Sequence, residues 1–146
     1  MSTTLIVGID GSEAGARALS YTKRLATLIG SDCKIEVVYV IEWSPYSFQT
    51  PEENAQRNKQ REKAISIANE RIVEPAIKSL QDEGFAAEGR VLHGKVAHLL
   101  NSVAVETNAE QIVVARSSAA GFTSRVFGSV TANLVMSSTV PVTVVS

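Results

Sequence analysis

Three short segments hold the residue types that could do chemistry. Asp10-Gly11-Ser12 sets a carboxylate, a glycine and a hydroxyl where a β-branched run gives way to a helical one. A carboxylate beside helix-start amides would suit a ribose, a metal or a phosphate, but capping the turn needs the same residues and is the favoured reading. Gly89-Arg-Val-Leu-His-Gly94-Lys95-Val96 nearly spells the phosphate-binding G-x-x-x-x-G-K-[ST]. Val96 stands where a hydroxyl should hold magnesium, and Arg90-Val-Leu92 continues a strand where a flexible loop is needed, so a Walker-type NTPase is rejected. The segment from Ala115 to Ser129 is the richest. Its small residues allow close backbone approach, Ser117, Ser118 and Ser129 bring hydroxyls, Arg116 and Arg125 bring charge, and a helix opening at Gly128 would aim amides at a phosphate. A surface loop of no particular chemistry fits it equally well.

No catalytic set assembles around these segments. His93 lies at a strand end and His98 on a helix face, and neither forms a Ser-His-Asp or Cys-His arrangement with a neighbour that the sequence brings close. Both are read as structural or solvated. Cys33 with two histidines is too small a ligand set for a closed zinc site, and a lone cysteine makes no internal disulfide, which points to a reducing, cytoplasmic setting. Neither catalytic nor metal-ligating residues are expected.

The elements that must position these segments alternate. Leu5–Ile9 reads as a strand; Ala18, Leu19, Thr22, Leu25, Ala26 and Ile29 recur at helical spacing before Gly30; Ile35–Ile41 is a strand too apolar to face water on one side. After the loop Ser44–Pro51, the charged stretch from Glu52 to about Glu83 reads as one long solvated helix that Pro75 kinks or interrupts. A third strand covers 86–92, and a helix carries Val96, Leu99, Leu100, Val103 and Ala104. Strand four is Gln111–Ala115, a helix opens at Gly128-Ser129, and Val140–Val145 is the last strand. Trp43, Tyr46 and Phe48 in the long loop are expected to pack over the helix. Strict alternation implies right-handed crossovers and an open, doubly wound, five-stranded parallel sheet with helices on both faces, an α/β fold of Rossmann-like type. Ligands in such sheets sit beyond the strands' carboxyl ends, where strand order reverses.

Composition sets the frame. With 146 residues, 45% hydrophobic and 20% charged, the chain is expected to form a single domain over 1–146. A formal net charge of −1 and a pI near 6.1 leave no basic excess to drive nucleic-acid or acidic-membrane binding. The start Met1-Ser-Thr-Thr-Leu-Ile-Val-Gly lacks a signal-peptide pattern, and no apolar run approaches the roughly 18 residues that span a bilayer.

Taken in order, Ile9-Asp10-Gly11-Ser12, Val37–Ile41, Val91-Leu-His-Gly94, Gly128-Ser129-Val130 and Val140–Val145 resemble the universal stress protein family over nearly the whole chain. The resemblance implies strand order 3-2-1-4-5 and a homodimer whose last strands, Val140–Val145, pair antiparallel across a two-fold axis. It implies that Asp10 faces ribose or metal, that Val40 faces adenine, and that Gly94 lies near base or sugar. In the nucleotide-binding branch a G-x-x-G-x9-G-[ST] loop wraps the phosphates of ATP. The matching residues here are Ala115, Ser118, Gly128 and Ser129, so both leading glycines are absent and the closing pair is kept. A β-carbon at 115 or 118 would crowd the phosphate or disfavour a positive φ. The expected function is therefore a stress-response module of the adenine-nucleotide-binding class, holding ATP or another adenine nucleotide with magnesium, and working with a regulatory protein partner rather than as an enzyme. Two alternatives stand: a dimer of the same fold that acts by protein interaction without nucleotide, and a small nucleotidyl-transfer enzyme.

Overall fold

The computed structural model describes residues 2–42, 50–116 and 123–146, with the side chains of 123–129 outside that description. Trp43, Tyr46, Phe48 and Ser118 thus lie outside the described residues. The chain runs β1 (Thr3–Ile9), α1 (Glu13–Ile29), β2 (Cys33–Glu42), α2 (Pro51–Ala68), a π-helical turn (Asn69–Val73), α3 (Glu74–Asp82), β3 (Ala86–Gly94), α4 (Val96–Glu106), β4 (Gln111–Ala115), α5 (Thr123–Ser137) and β5 (Val142–Val145). The strands form one sheet in the order β3-β2-β1-β4-β5, with every pairing parallel. This is the doubly wound α/β sheet with order 3-2-1-4-5.

Period-two side-chain alternation splits the interior into two cores. Leu5, Val7, Ile35, Val37 and Val113 face α1, the π turn and α3, where Ala18, Ala26, Val73 and Leu80 meet them. Ile6, Val38, Ile112 and Val114 face the opposite layer and pack on Leu100, Val103 and Leu134 of α4 and α5. Gly89 lets the first layer press onto β3. A β-carbon there would lie 2.5 Å from Val73 Cγ1 and 2.7 Å from Ile77 Cδ1.

One buried charge interrupts the second core. Glu36, 2% exposed, accepts from Arg90 Nε at 2.8 Å, and Arg90 Nη1 reaches Glu106 at 3.1 Å. The β2–β3 register pairs Glu36 with Glu88 and Val38 with Arg90, so Glu36 and Arg90 are diagonal neighbours on one face of the sheet.

The long helix is interrupted near Pro75, as expected: a π turn over Asn69–Val73 breaks it, and Pro75 sits in the first turn of α3, where its missing N–H costs nothing. Three other boundaries depart from expectation. Strand β3 runs on through His93 and Gly94 because its pairing with β2 continues to Ile41↔His93 and Glu42↔Gly94. Helix α5 begins at Thr123, so Gly128 and Ser129 lie in its second turn and not at its start. The last strand is also shorter than expected, at Val142–Val145.

Candidate functional site

Strand β1 is paired with β2 on one side and β4 on the other. The crossovers therefore leave in opposite directions from its carboxyl end, and a crevice opens there. It holds a cleft of about 360 Å³. Val38, Val40, Leu100, Val114 and Leu134 make its apolar floor and walls, while Asp10 and Glu42 bring carboxylates. Gly8 lies on the floor, and a β-carbon there would come within 3.2 Å of Val114 Cγ1 and 3.3 Å of Leu100 Cδ1. Its lack of a side chain keeps the cleft open. A mid-strand glycine is a sequence signal of close backbone approach, and could have marked Gly8 beforehand.

Asp10 turns the chain from β1 into α1. Its Oδ1 accepts from the Ser12 backbone N–H at 2.9 Å and from the Ser12 hydroxyl, while Ser12 Oγ accepts from the Gly15 N–H at 3.5 Å. Gly11 takes the turn at φ +83°. The capping reading of this segment is thus realised, and Asp10 lines the cleft at the same time. Gly15 beneath it is held to a hydrogen atom, because a β-carbon would stand 3.2 Å from Asp10 N and Oδ1.

Ala115 ends β4, is 4% exposed and lines the cleft. Positive φ among described non-glycine residues occurs at Asn108 alone, so the alanine bears no backbone strain. What its β-carbon does is occupy space. Immediately beyond, Arg17 Nη2 of α1 donates to the Arg116 carbonyl at 2.9 Å and anchors the chain as it leaves the sheet.

Thr131, which sequence reasoning missed, is the most informative wall residue. Its Oγ1 is buried without a hydrogen-bond partner, although it lines a cleft that is mostly apolar. A buried hydroxyl left unpaired costs about 1–3 kcal/mol, and sites that retain one commonly do so for a ligand or an ordered water.

Of the expected site residues, the cleft gathers Asp10, Val40 and Ala115. Gly94, at φ +153°, lines an adjoining outer cleft of about 880 Å³ with Glu42, Lys95, His98 and Asn101. Glu42, Val96 and Val130 border both spaces. Ser118 lies outside the described residues. Gly128 and Ser129 are the sixth and seventh residues of α5, where backbone N–H groups bond to carbonyls four residues back. In this conformation they are not the free amides of a helix start.

The remaining chemical side chains do not converge on the cleft. Cys33 is buried beneath the start of β2, and burial pushes its thiol up from the ordinary value. His93 points away from it, towards α2. Among the described residues no group of three or more His, Cys, Asp and Glu side chains is placed to hold a metal ion, and no helix is long and apolar enough to cross a membrane.

Comparison with known proteins agrees with this architecture. The hypothetical protein MJ0577, whose structure was used to assign its biochemical function, superposes with a TM-score of 0.81 at 23% identity, covering 99% of this chain and 96% of that one. A universal stress protein solved in complex with cAMP gives 0.63 at 24% identity, with 99% and 96% covered. One from Archaeoglobus fulgidus in complex with dAMP gives 0.58 at 18%, with 100% and 98% covered. At these identities the likeness concerns the fold. No curated protein matches the chain in sequence. The family model described as "Universal stress protein family" matches residues 1–146, and the chain belongs to that family.

Proposed function

We propose that the protein is an adenine-nucleotide-binding module, a homodimer of the cytoplasm that acts by binding nucleotide and a protein partner and not as an enzyme. The orphaned Thr131 hydroxyl in the apolar switch-point cleft carries this reading. A flat, apolar heterocycle with polar edges fills such a space, covering Val40 and Leu100 while offering Thr131 its missing hydrogen bond. Asp10 and Glu42 supply acceptors for ribose hydroxyls or an exocyclic amine. Relatives of the same fold solved with cAMP and dAMP support this class of ligand.

Phosphates would leave the cleft past Ala115, with Ser118, which lies outside the described residues, Gly128 and Ser129 as the donors the family resemblance implies. Recruiting the last two through their backbone requires the first turns of α5 to open, because their N–H groups are committed to the helix. Magnesium would enter with the phosphates. Among the described residues none is placed in the cleft to activate water, which favours a binding role. A reducing compartment suits the lone Cys33, whose thiol is buried and pushed up from its ordinary value by that burial.

Thr131→Val tests the carrying observation from both sides. It is expected to weaken ATP binding about tenfold and to raise the stability of the nucleotide-free protein by about 1 kcal/mol, because the unpaired hydroxyl is gone. Calorimetric titration and thermal unfolding read the two effects separately. Unchanged affinity would place the ligand elsewhere.

The homodimer would form through β5. Pro141 and Val145 carbonyls accept from Ile112 of β4 and from Arg116 just beyond it, at 2.9 and 2.7 Å, so the alternate residues Val142 and Val144 turn their backbone groups to the other edge. Val144 is also 40% exposed. An apolar edge of this kind invites pairing with a second copy. Val144→Pro removes an outward N–H and spares the β4 ladder. Light scattering should then find a folded monomer where the unmodified chain is a dimer; a variant that remains dimeric would move the interface off β5.

A further inference from the structure

The outer cleft, about 880 Å³ in volume, opens directly off the inner one. The two share Glu42, Val96 and Val130 as a rim, so a ligand seated in one can extend into the other. Along this path the walls change in character. Val40, Leu100 and Leu134 bound the inner cleft, the rim offers the Glu42 carboxylate, and the outer walls carry Lys95, Asn101 and Asn133.

Asn101 distinguishes the outer cleft from a plain furrow between α4 and α5. Its Oδ1 accepts from the Thr139 backbone N–H at 2.9 Å, from the Thr139 hydroxyl at 3.2 Å and from the Ser138 hydroxyl at 3.3 Å. A backbone N–H can only donate, so these bonds fix which end of the amide meets the turn before β5. The Nδ2 end is left over, and it donates to no group among the described residues. Lys95 stands at the rim because Gly94, at φ +153°, turns the chain from β3 into α4 beside Glu42 of β2. Among the described residues Lys95 forms no ion pair.

The loop that the family resemblance implies offers no free N–H from Gly128 or Ser129 while both stay inside α5. The outer cleft needs no such rearrangement. We propose that it holds the phosphate of an adenosine monophosphate, with Lys95 as the counter-charge and Asn101 Nδ2 as a fixed donor, while the ribose crosses the rim at Glu42. This assignment rests on adenine lying in the inner cleft. A donor already held in place loses little freedom on binding, and a hydrogen bond from an ammonium to a phosphoryl oxygen is of the stronger, charge-assisted kind. One ammonium matches one phosphoryl group. Glu42 opposes further negative charge at the rim, so a triphosphate without a metal ion gains nothing over a monophosphate.

The two histidines of the chain report on opposite faces of the sheet, since His98 lines the outer cleft and His93 faces α2. Nucleotide-stripped protein is titrated with AMP and with adenosine, followed by calorimetry and by the histidine ring resonances. AMP is expected to bind about tenfold more tightly than adenosine and to move the His98 resonances while those of His93 stay still. Lys95→Gln, at an exposed position, should remove that advantage so that the two ligands bind alike, with thermal unfolding as for the unmodified chain. ATP without magnesium should bind no more tightly than AMP, and an affinity that climbs with each phosphate would contradict the assignment. Inorganic phosphate alone should leave His98 unmoved; movement would identify a site for free anions and overturn the nucleotide. Adenosine that binds as tightly as AMP, or an AMP advantage that survives Lys95→Gln, would place the phosphate elsewhere and leave the adenine reading standing. If neither ligand binds, the adenine reading fails and this assignment falls with it.

Discussion

Val40→Trp is expected to abolish adenine-nucleotide binding while the protein stays folded. Val40 is half-buried at the end of β2 and its side chain forms part of the cleft wall. An indole in its place can occupy the space a purine would take, without entering the packed layers beneath, where Val38 and Ile6 are already fully buried. Aromatic groups of this size bury roughly 150–250 Å², so excluding one forfeits about 4–6 kcal/mol of apolar burial at ~25 cal/mol per Å². Even half of that is about a hundredfold in affinity. Titration calorimetry with ATP reads the loss, and thermal unfolding checks that the fold survives. A tryptophan variant that binds ATP as well as the unmodified chain would show that the purine does not lie against β2.

The largest effect on stability should come from Arg90→Ala. Glu36 is 2% exposed and its Oε1 is held by Arg90 Nε at 2.8 Å; its Oε2 has no hydrogen-bond partner and lies 4.0 Å from Lys34 Nζ. Removing the guanidinium leaves a carboxylate buried in the α4 layer with one distant cation, at an expected cost of about 3–5 kcal/mol. Removing both charges is a different matter. Glu36→Met combined with Arg90→Met should recover most of the loss, because a buried pair contributes little net stability over apolar residues of similar volume. Denaturant unfolding of the single and double variants decides it, and a single variant within about 1 kcal/mol of the unmodified chain would mean that water reaches Glu36.

The alternation of strands and helices was legible because each element announces itself locally. Ile35–Ile41 shows its burial on both faces through an almost unbroken apolar run, and Gly30 and Gly84 mark helix ends at positive φ. The order of strands was different in kind, since it came from the family resemblance and not from periodicity. Other features depend on register and could not be read along the chain. Glu36 and Arg90 are 54 positions apart and meet only because β2 and β3 pair as they do. The continuation of β3 through His93 follows from the same ladder.

The start of α5 was misplaced for a local reason. Gly128-Ser129 and Thr123-Ser124 are comparable starting signals, and the helix extends to the earlier pair. In the site itself, Asp10, Val40 and Ala115 were legible from their positions at strand ends, while Thr131 was not. Whether its hydroxyl faces solvent or the cleft is fixed by the rotation of α5 against the sheet, which Leu134, fully buried three residues on, sets through packing.

The central claim is that the switch-point cleft takes an adenine nucleotide even though Ala115 and Ser118 stand where the nucleotide-binding branch has glycines. Its most direct test is calorimetric titration of purified, nucleotide-stripped protein with ATP and magnesium, with GTP as the control. Saturable binding of ATP in preference to GTP, lost in Val40→Trp, is the predicted result. No binding of ATP at millimolar concentration would contradict the claim, and would assign the function to the dimer and its protein partners alone.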